Sequence, residues 1–317
     1  MLVADKIQKK LTVHQRDMRL MGNRFEISVV CDDAEIAQQH IDAAVTEIQR
    51  IEKLFTTFSD DSQTNLINQN AGLAPVKVDC EVFDLIARSL RISDLTQGAF
   101  DITYGSIDKG LWNFDTNMTA LPDGETAQQA VKLINYKNVV LDEINTTVYL
   151  RKKGMRIGFG GIGKGYAAER AKHVLKLRGV DSGIVNASGD LTCWGLQPDG
   201  TKWTVGIVNP DLKHEIFSYL QISDMAIATS GSYEKFAVIN GKKYGHTINP
   251  RTGLPVTGIK SVTIITTNAE VADAMATPVT IMGIKAGLDM INQMKDIEAV
   301  IIDDNNNLYT SNNINLK

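Results

Sequence analysis

Arg156-Ile-Gly-Phe-Gly-Gly-Ile-Gly-Lys-Gly165 is the stretch on which the reading of the fold turns, because it fits three phosphate-site patterns. Gly158, Gly160 and Gly163 spell G-x-G-x-x-G, the dinucleotide fingerprint that opens a repeated β-α-β sheet. Gly158, Gly163 and Lys164 spell G-x-x-x-x-G-K, a P-loop short of its last residue. The third pattern is a glycine-rich turn feeding a helix that starts near Lys164. In all three, backbone N–H groups at a helix N-terminus would face an anion, where the dipole and the unpaired donors favour negative charge.

Downstream, the spacing predicts a helix over Lys164–Arg178 with Gly179 as its C-cap. Strand-like runs then crowd together at Gly183–Asn186, Leu191–Trp194, Trp203–Val208, Phe217–Ile222 and Phe236–Ile239. A strand over Ser261–Thr267 leads into helices Ala269–Met282 and Lys285–Met294, and strands Ala299–Ile302 and Leu308–Thr310 follow. Upstream, Phe25–Val30 alternates as a strand does, and Ala34–Phe55 places Ile41, Val45, Ile48, Ile51 and Leu54 at helical spacing. Phe58–Gly72 reads as a polar loop or short helical turns. Helices are predicted over Glu81–Thr96 and Thr126–Ile134, and strands at Val139–Leu141 and Thr147–Leu150. Strands outnumber helices and short Gly or Asn turns join many of them, which predicts an α+β class with antiparallel pairing. There is no internal repeat and no linker, so residues 1–317 are expected to form one domain.

This frame bears on the first two patterns. The P-loop has an apparent second half in Ala299-Val-Ile-Ile-Asp-Asp304, an apolar strand ending in acid. But Gly165 follows Lys164 where a P-loop needs Ser or Thr to hold magnesium, and Asp303–Asp304 run into Asn305–Asn307, which reads more simply as a hairpin turn. For the dinucleotide pattern, Asp181 could bind a ribose. The run of strands after Gly165 is not the alternation that fold requires.

The 317 residues are 43% hydrophobic and 22% charged, with a formal net charge of −4. That is an ordinary globular composition, and without runs of one sign it argues against a nucleic-acid partner. Cys31, Cys80 and Cys193 have no metal-ligand spacing and an odd count, so no disulfide framework is expected. No run reaches the length of a membrane span. Met1–Lys10 lacks an apolar segment, so no export signal is expected in the chain as written.

Three further clusters carry chemistry. Gly98-Ala-Phe-Asp-Ile-Thr-Tyr104 lies just after a helix. His246-Thr-Ile-Asn-Pro-Arg-Thr-Gly-Leu-Pro255 is a polar turn with two prolines. Ala272-Asp-Ala-Met-Ala-Thr277 sets Asp273 and Thr277 four apart, a carboxylate and a hydroxyl on one helix face, the hard oxygen donors that suit magnesium. Each has a plainer reading alone: Asp273 as a first-turn charge, His246 as a structural histidine, Phe58 and Phe100 as core.

Taken together, in order along the chain, these segments resemble the FAD:protein FMN transferase (ApbE) family. Met21-Gly-Asn23 resembles its M-G-T, Phe58–Ser62 with Asn68 its aromatic-x-x-x-S segment, and Gly98–Asp101 with Thr103 its G-x-F-D-x-T. Arg156–Tyr166 resembles D-x-G-G-I-A-K-G-Y, and Asn186-Ala-Ser-Gly-Asp190 resembles N-x-G-G-D. Ala228–Gly231 with Tyr233 and Phe236, the His246 turn and Ala272–Thr277 complete the set. Gly158 stands where the family usually has Asp, Gly163 where it has Ala, and Asn249 where it has Asp.

The resemblance implies a T-fold-like architecture of mostly antiparallel sheets with packed helices, a FAD cleft between two intertwined lobes, and Mg²⁺-dependent transfer of FMN from FAD to a Thr or Ser hydroxyl of an acceptor flavoprotein of the respiratory or reductase class, with release of AMP. FAD binding or hydrolysis to FMN and AMP without an acceptor is the alternative. By the same resemblance, Asp273, Thr277 and the Gly161 carbonyl would hold Mg²⁺, and Lys164 would face a FAD phosphate. Met21, Phe58, Ala99, Phe100, Asp101, Gly158 and Thr247 would line the flavin and adenine pockets, with Phe58 stacked on the flavin ring. His246 is the candidate general base, and many members of the family are exported.

Overall fold

The computed structural model describes residues 10–107, 118–208, 216–231 and 236–314. The chain runs through β1 (Thr12–Leu20), β2 (Asn23–Cys31), α1 (Ala34–Phe55), α2 (Gln63–Gln69), β3 (Val76–Lys77) and α3 (Cys80–Leu95). A 3₁₀ turn (Ile102–Ser106), α4 (Gly124–Ala130), β4 (Val139–Asp142), β5 (Thr147–Leu150) and α5 (Gly163–Leu177) follow. Then come β6 (Gly183–Ala187), β7 (Asp190–Trp194), β8 (Trp203–Val208), β9 (Ile216–Ile222), β10 (Ala226–Gly231), β11 (Phe236–Ile239) and β12 (Lys242–Gly245). The described chain closes with β13 (Ile259–Thr266), α6 (Ala269–Met282), α7 (Ile284–Ile291), β14 (Ile297–Asp303) and β15 (Leu308–Thr310).

Eight strands form one sheet in the order β1-β2-β6-β7-β10-β13-β14-β15. Every neighbouring pair in it is antiparallel. This is the α+β class expected, and it excludes the parallel sheet that a dinucleotide fold needs. Helices cover one face in the order of the strands beneath them: α1 on β1 and β2, α5 on β6 and β7, α6 on β10 and β13, α7 on β14. On the opposite face Leu191, Cys193, Ile227, Ile265 and Val300 pack against Trp203 and Ile222 of the β8–β9 hairpin. β7 is therefore buried on both sides, along its whole length.

The helices form for local reasons. Asp33 caps α1 by accepting from the N–H groups of Glu35 and Ile36 at 2.9 and 3.1 Å. Ile41, Ile48 and Ile51 then meet the core on one face, each contributing on the order of 2 kcal/mol by burial. The polar stretch Phe58–Gly72 contains α2, because the Ser62 side chain accepts from Asn65 N at 3.1 Å and nucleates a turn there. The helix expected over Thr126–Ile134 starts two residues earlier and stops at Ala130, and α7 ends at Ile291. β1 went unanticipated. It is an edge strand with alternate residues exposed, and the charges of Arg16, Asp17 and Arg19 protect that edge against further pairing. Asp303, proposed as half of a Walker B element, accepts from Asn305 N and Asn307 N at 2.8 Å each and closes the β14–β15 hairpin. The three cysteines are free thiols. Among the described residues no helix is long and apolar enough to cross a membrane.

Candidate active site

The glycine stretch is held at both ends before α5 begins. Ile157 N donates to Asn68 Oδ1 at 2.7 Å, Asn68 Nδ2 donates back to the Ile157 carbonyl at 3.1 Å, and Gly158 N donates to the Ile102 carbonyl at 3.1 Å. Phe159 packs on Phe55 with ring centroids 4.5 Å apart. α5 starts at Gly163 with no side-chain cap, yet its first N–H groups are not bare as the sequence suggested. Gly163 N donates to the Phe159 carbonyl at 2.6 Å, and Gly165 N donates to Asp273 Oδ2 at 3.0 Å. The anion at this helix end is the protein's own carboxylate, which the dipole and the orphan donor both favour.

That contact depends on Gly165. A Cβ there would stand 2.0 Å from the Ala269 carbonyl oxygen and 2.8 Å from Asp273 Cβ. The Ser or Thr of a P-loop has no room, so the α5–α6 approach itself rules that pattern out. The two helices cap each other: Glu169 of α5 accepts from Ala269 N, the first residue of α6, at 2.8 Å. Asp273 is buried and Thr277, one turn further on, is half-buried, on the same side of α6.

Lys164 lies between two carboxylates. Its Nζ pairs with Asp190 Oδ2 and sits 3.7 Å from Asp273 Oδ1. Asp190 is the first residue of β7, set by the two-residue turn Ser188–Gly189, where Gly189 N donates to Asn186 Oδ1 at 2.8 Å. Sequence reasoning quoted Asp190 as a motif letter and missed this partnership with Lys164.

Two of the other expected residues, Met21 and Phe100, approach the glycine stretch. Met21 sits at the tip of the β1–β2 hairpin with a left-handed φ of 51°, and Asn23 Nδ2 holds the turn by donating to its carbonyl at 2.8 Å. The Met21 Cε lies 3.8 Å from where a Cβ on Gly163 would be, and a Phe100 ring carbon 3.5 Å from the same position on Gly161. Ala99 and Phe100 are buried. Asp101 turns inward: Oδ1 accepts from Thr103 N and Oγ1 at 2.8 and 2.6 Å, and Oδ2 from Tyr136 N at 2.9 Å. Burial pushes its carboxyl above the ordinary value against the pull of those donors. Asp101 thus shapes the loop that carries Ala99 and Phe100.

Phe58 is 96% exposed. Ser62 Oγ donates to the Thr56 carbonyl at 2.6 Å, and Asn65 Nδ2 donates to the Thr57 and Ser59 carbonyls at 2.9 and 2.8 Å, which fixes the backbone and leaves the ring outward. The plain core reading of Phe58 is therefore incorrect. Thr57 beside it brings Cγ2 to 3.7 Å from a Cβ position on Gly158, so a side chain at Gly158 would fit.

His246 and Thr247 follow β12 and are half-buried. Thr247 O accepts from Val256 N at 2.9 Å, and Arg251 Nη2 donates to the Gln97 carbonyl at 2.7 Å, which ties this turn to the Gly98–Asp101 segment. Ile248 N donates to the Tyr104 phenol at 3.3 Å, and burial raises that phenol to about 12. Asn249 Oδ1 accepts from Arg251 N at 2.9 Å. Asn and Asp make such a turn equally well, so Asn249 keeps the local shape. Tyr233 lies outside the described residues.

Asp273, the Thr277 hydroxyl and the Gly161 carbonyl are hard oxygen donors of the kind a magnesium ion takes. Asp273 and Thr277 lie on the same side of α6, and on the chemistry of its donors the set fits such a cation.

A helix-covered antiparallel sheet, with a lysine clasped by buried carboxylates at a helix crossing below a glycine turn, defines an α+β class. Residues 21–301 match the model of the ApbE family, and the chain belongs to that family. It is 29% identical to a FAD:protein FMN transferase of Klebsiella pneumoniae over 92% of this chain and 90% of that one. A protein of the same name from Escherichia coli K12 is 27% identical over 87% and 80% of the two chains. Among solved structures, the ApbE protein of Thermotoga maritima matches with a TM-score of 0.86 and 30% identity, covering 95% of this chain and 97% of that one.

Proposed function

We propose that this protein transfers the FMN moiety of FAD to a Thr or Ser hydroxyl of an acceptor flavoprotein of the respiratory or reductase class, in a Mg²⁺-dependent reaction that releases AMP. The naming of its relatives as FAD:protein FMN transferases supports flavin transfer. The observation that carries the finer reading is the gathering of Lys164, Asp273 and the Gly161–Gly165 turn at one helix crossing. A diphosphate needs an oxygen-ligated metal and a cation near it, and this crossing offers the carboxylate and the ammonium for those two parts.

In this reading Lys164 steadies a FAD phosphate, and Asp273, Thr277 and the Gly161 carbonyl hold Mg²⁺. When bound, the metal would polarise the phosphoryl oxygens and neutralise charge that grows on them. Met21, Ala99, Phe100 and Thr247 form walls around the flavin and adenine, with Asp101 supporting Phe100. Phe58, exposed at the rim, is free to stack on a flavin ring. His246 accepts the proton of the attacking acceptor hydroxyl, the general-base role that a histidine most often serves. The hydroxyl oxygen bonds to the FMN-side phosphorus, the bond to the AMP oxygen breaks, and AMP leaves.

The test is to incubate the protein with FAD and Mg²⁺, with and without a candidate acceptor flavoprotein, following AMP release and the acceptor's intact mass. Covalent FMN on the acceptor with matching AMP is expected. AMP and FMN released equally without acceptor would make hydrolysis the activity, and no AMP in either arm would overturn both. His246→Ala should keep FAD binding, read by flavin fluorescence, and lower transfer about 100-fold or more, the usual weight of a positioned base. Unchanged transfer would remove His246 from that role.

A further inference from the structure

We propose that Asp190 is a positioning residue that sets metal affinity at Asp273 by holding the Lys164 ammonium away from it. The inference rests on the reading of Asp273 and Thr277 as metal ligands. One ammonium is shared here by two carboxylates whose side chains are 4% and 8% exposed, Asp190 and Asp273. It pairs directly with Asp190 and stays 3.7 Å from Asp273 Oδ1. In so dry a place a cation and a carboxylate attract strongly, and whichever acid takes the ammonium in close contact spends its charge on it.

The division follows from how the three residues are mounted. Asp273 Oδ2 is engaged by Gly165 N, which leaves Oδ1 as the oxygen directed to the ammonium. Lys164 projects from the first turn of α5, next to the Gly165 contact that fixes Asp273. Asp190 comes from the other side, on β7, where Ser188 and Gly189 adopt left-handed φ values of 57° and 100° and Ala187 pairs with Asp190 across the hairpin. The turn, closed by Gly189 N donating to Asn186 Oδ1, sets where the carboxylate stands, and the carboxylate draws the ammonium to it. Oδ1 of Asp273 is thereby left for a metal. With Asp190 neutralised, the ammonium closes onto Asp273 and competes for the same oxygen.

Mn²⁺ serves as the probe, titrated into the FAD-free protein and followed by electron paramagnetic resonance, with circular dichroism to check folding. Asp190→Asn should weaken Mn²⁺ binding about tenfold or more, as loss of an outer-shell partner does. Lys164→Met should bind Mn²⁺ more tightly than the native protein, and the double variant should recover from the Asp190→Asn loss. A residue that only supported the fold would not be rescued by removing the lysine. Native affinity in Asp190→Asn, or a double variant as weak as Asp190→Asn, overturns the proposal. So does weaker binding by Lys164→Met alone, which decides the matter should Asp190→Asn not fold. Native Mn²⁺ affinity in Asp273→Asn would instead overturn the metal reading itself.

Discussion

Gly165 and Gly158 belong to one motif and stand under opposite constraints. A methyl on Gly165 would meet the Ala269 carbonyl at 2.0 Å, and that carbonyl is held by α6 and has nowhere to go. Gly165→Ala should cost about 3 kcal/mol, the upper range for overpacking, read as a lower urea midpoint at unchanged slope. Gly158 has its nearest neighbour at 3.7 Å, the Thr57 methyl, and no left-handed φ. Gly158→Asp should leave stability within about 0.5 kcal/mol and tighten FAD binding by about 1 kcal/mol, one hydrogen bond's worth. Urea denaturation and flavin fluorescence titration check the two halves of that expectation. The Gly163–Lys164 step and the Asp273–Thr277 spacing stand out in the sequence because both patterns are local. The direction of the Asp101 carboxylate was not legible there, since one of its donors is Tyr136, 35 residues on. The pairing of Lys164 with Asp190 spans 26 residues and was hidden for the same reason.

The helices are laced together by a chain of charges on their flanks. Arg50 of α1 grips Glu47 at 2.8 Å and Glu81 of α3 at 2.6 Å, Glu47 also accepts from Arg170 of α5 at 3.1 Å, and Tyr166 of α5 donates to Glu81 at 2.5 Å. Arg88 of α3 then reaches Glu270 of α6 at 2.6 Å. The Arg50 hydrogen bonds hold the carboxyls of Glu47 and Glu81 below the ordinary value of 4.5. A folded-state value below the unfolded one stabilises the fold above the unfolded value, and that contribution disappears as pH falls through the depressed folded values. Stability should therefore drop below about pH 4.5. Arg50→Met should lose about 1 kcal/mol at pH 7, with these partly exposed pairs screened by solvent, and should show a shallower acid dependence. Urea midpoints at pH 7 and pH 4 measure both. At this scale the sequence was most readable where one face is apolar: α1 and α6 begin and end where periodicity placed them. β1 escaped because an exposed edge strand keeps few apolar residues.

The antiparallel α+β class was legible from crowded short strands, but strand order was not, because β2 lies beside β6 and β10 beside β13 through pairings that no local pattern encodes. Since that sheet interleaves distant segments, thermal unfolding should be a single transition. Far-UV circular dichroism and the fluorescence of buried Trp194 and Trp203 should trace coincident curves, and separated curves would mean that parts of the chain fold independently. The reciprocal capping of α5 and α6 joins residues 108 and 100 positions apart. During synthesis, α5 leaves the ribosome with its leading turn unsatisfied and must wait for roughly a hundred more residues, several seconds of translation. The charged centre is thus among the last features to assemble, and a chain arrested short of residue 273 would carry the complete glycine motif without the carboxylate that engages Gly165.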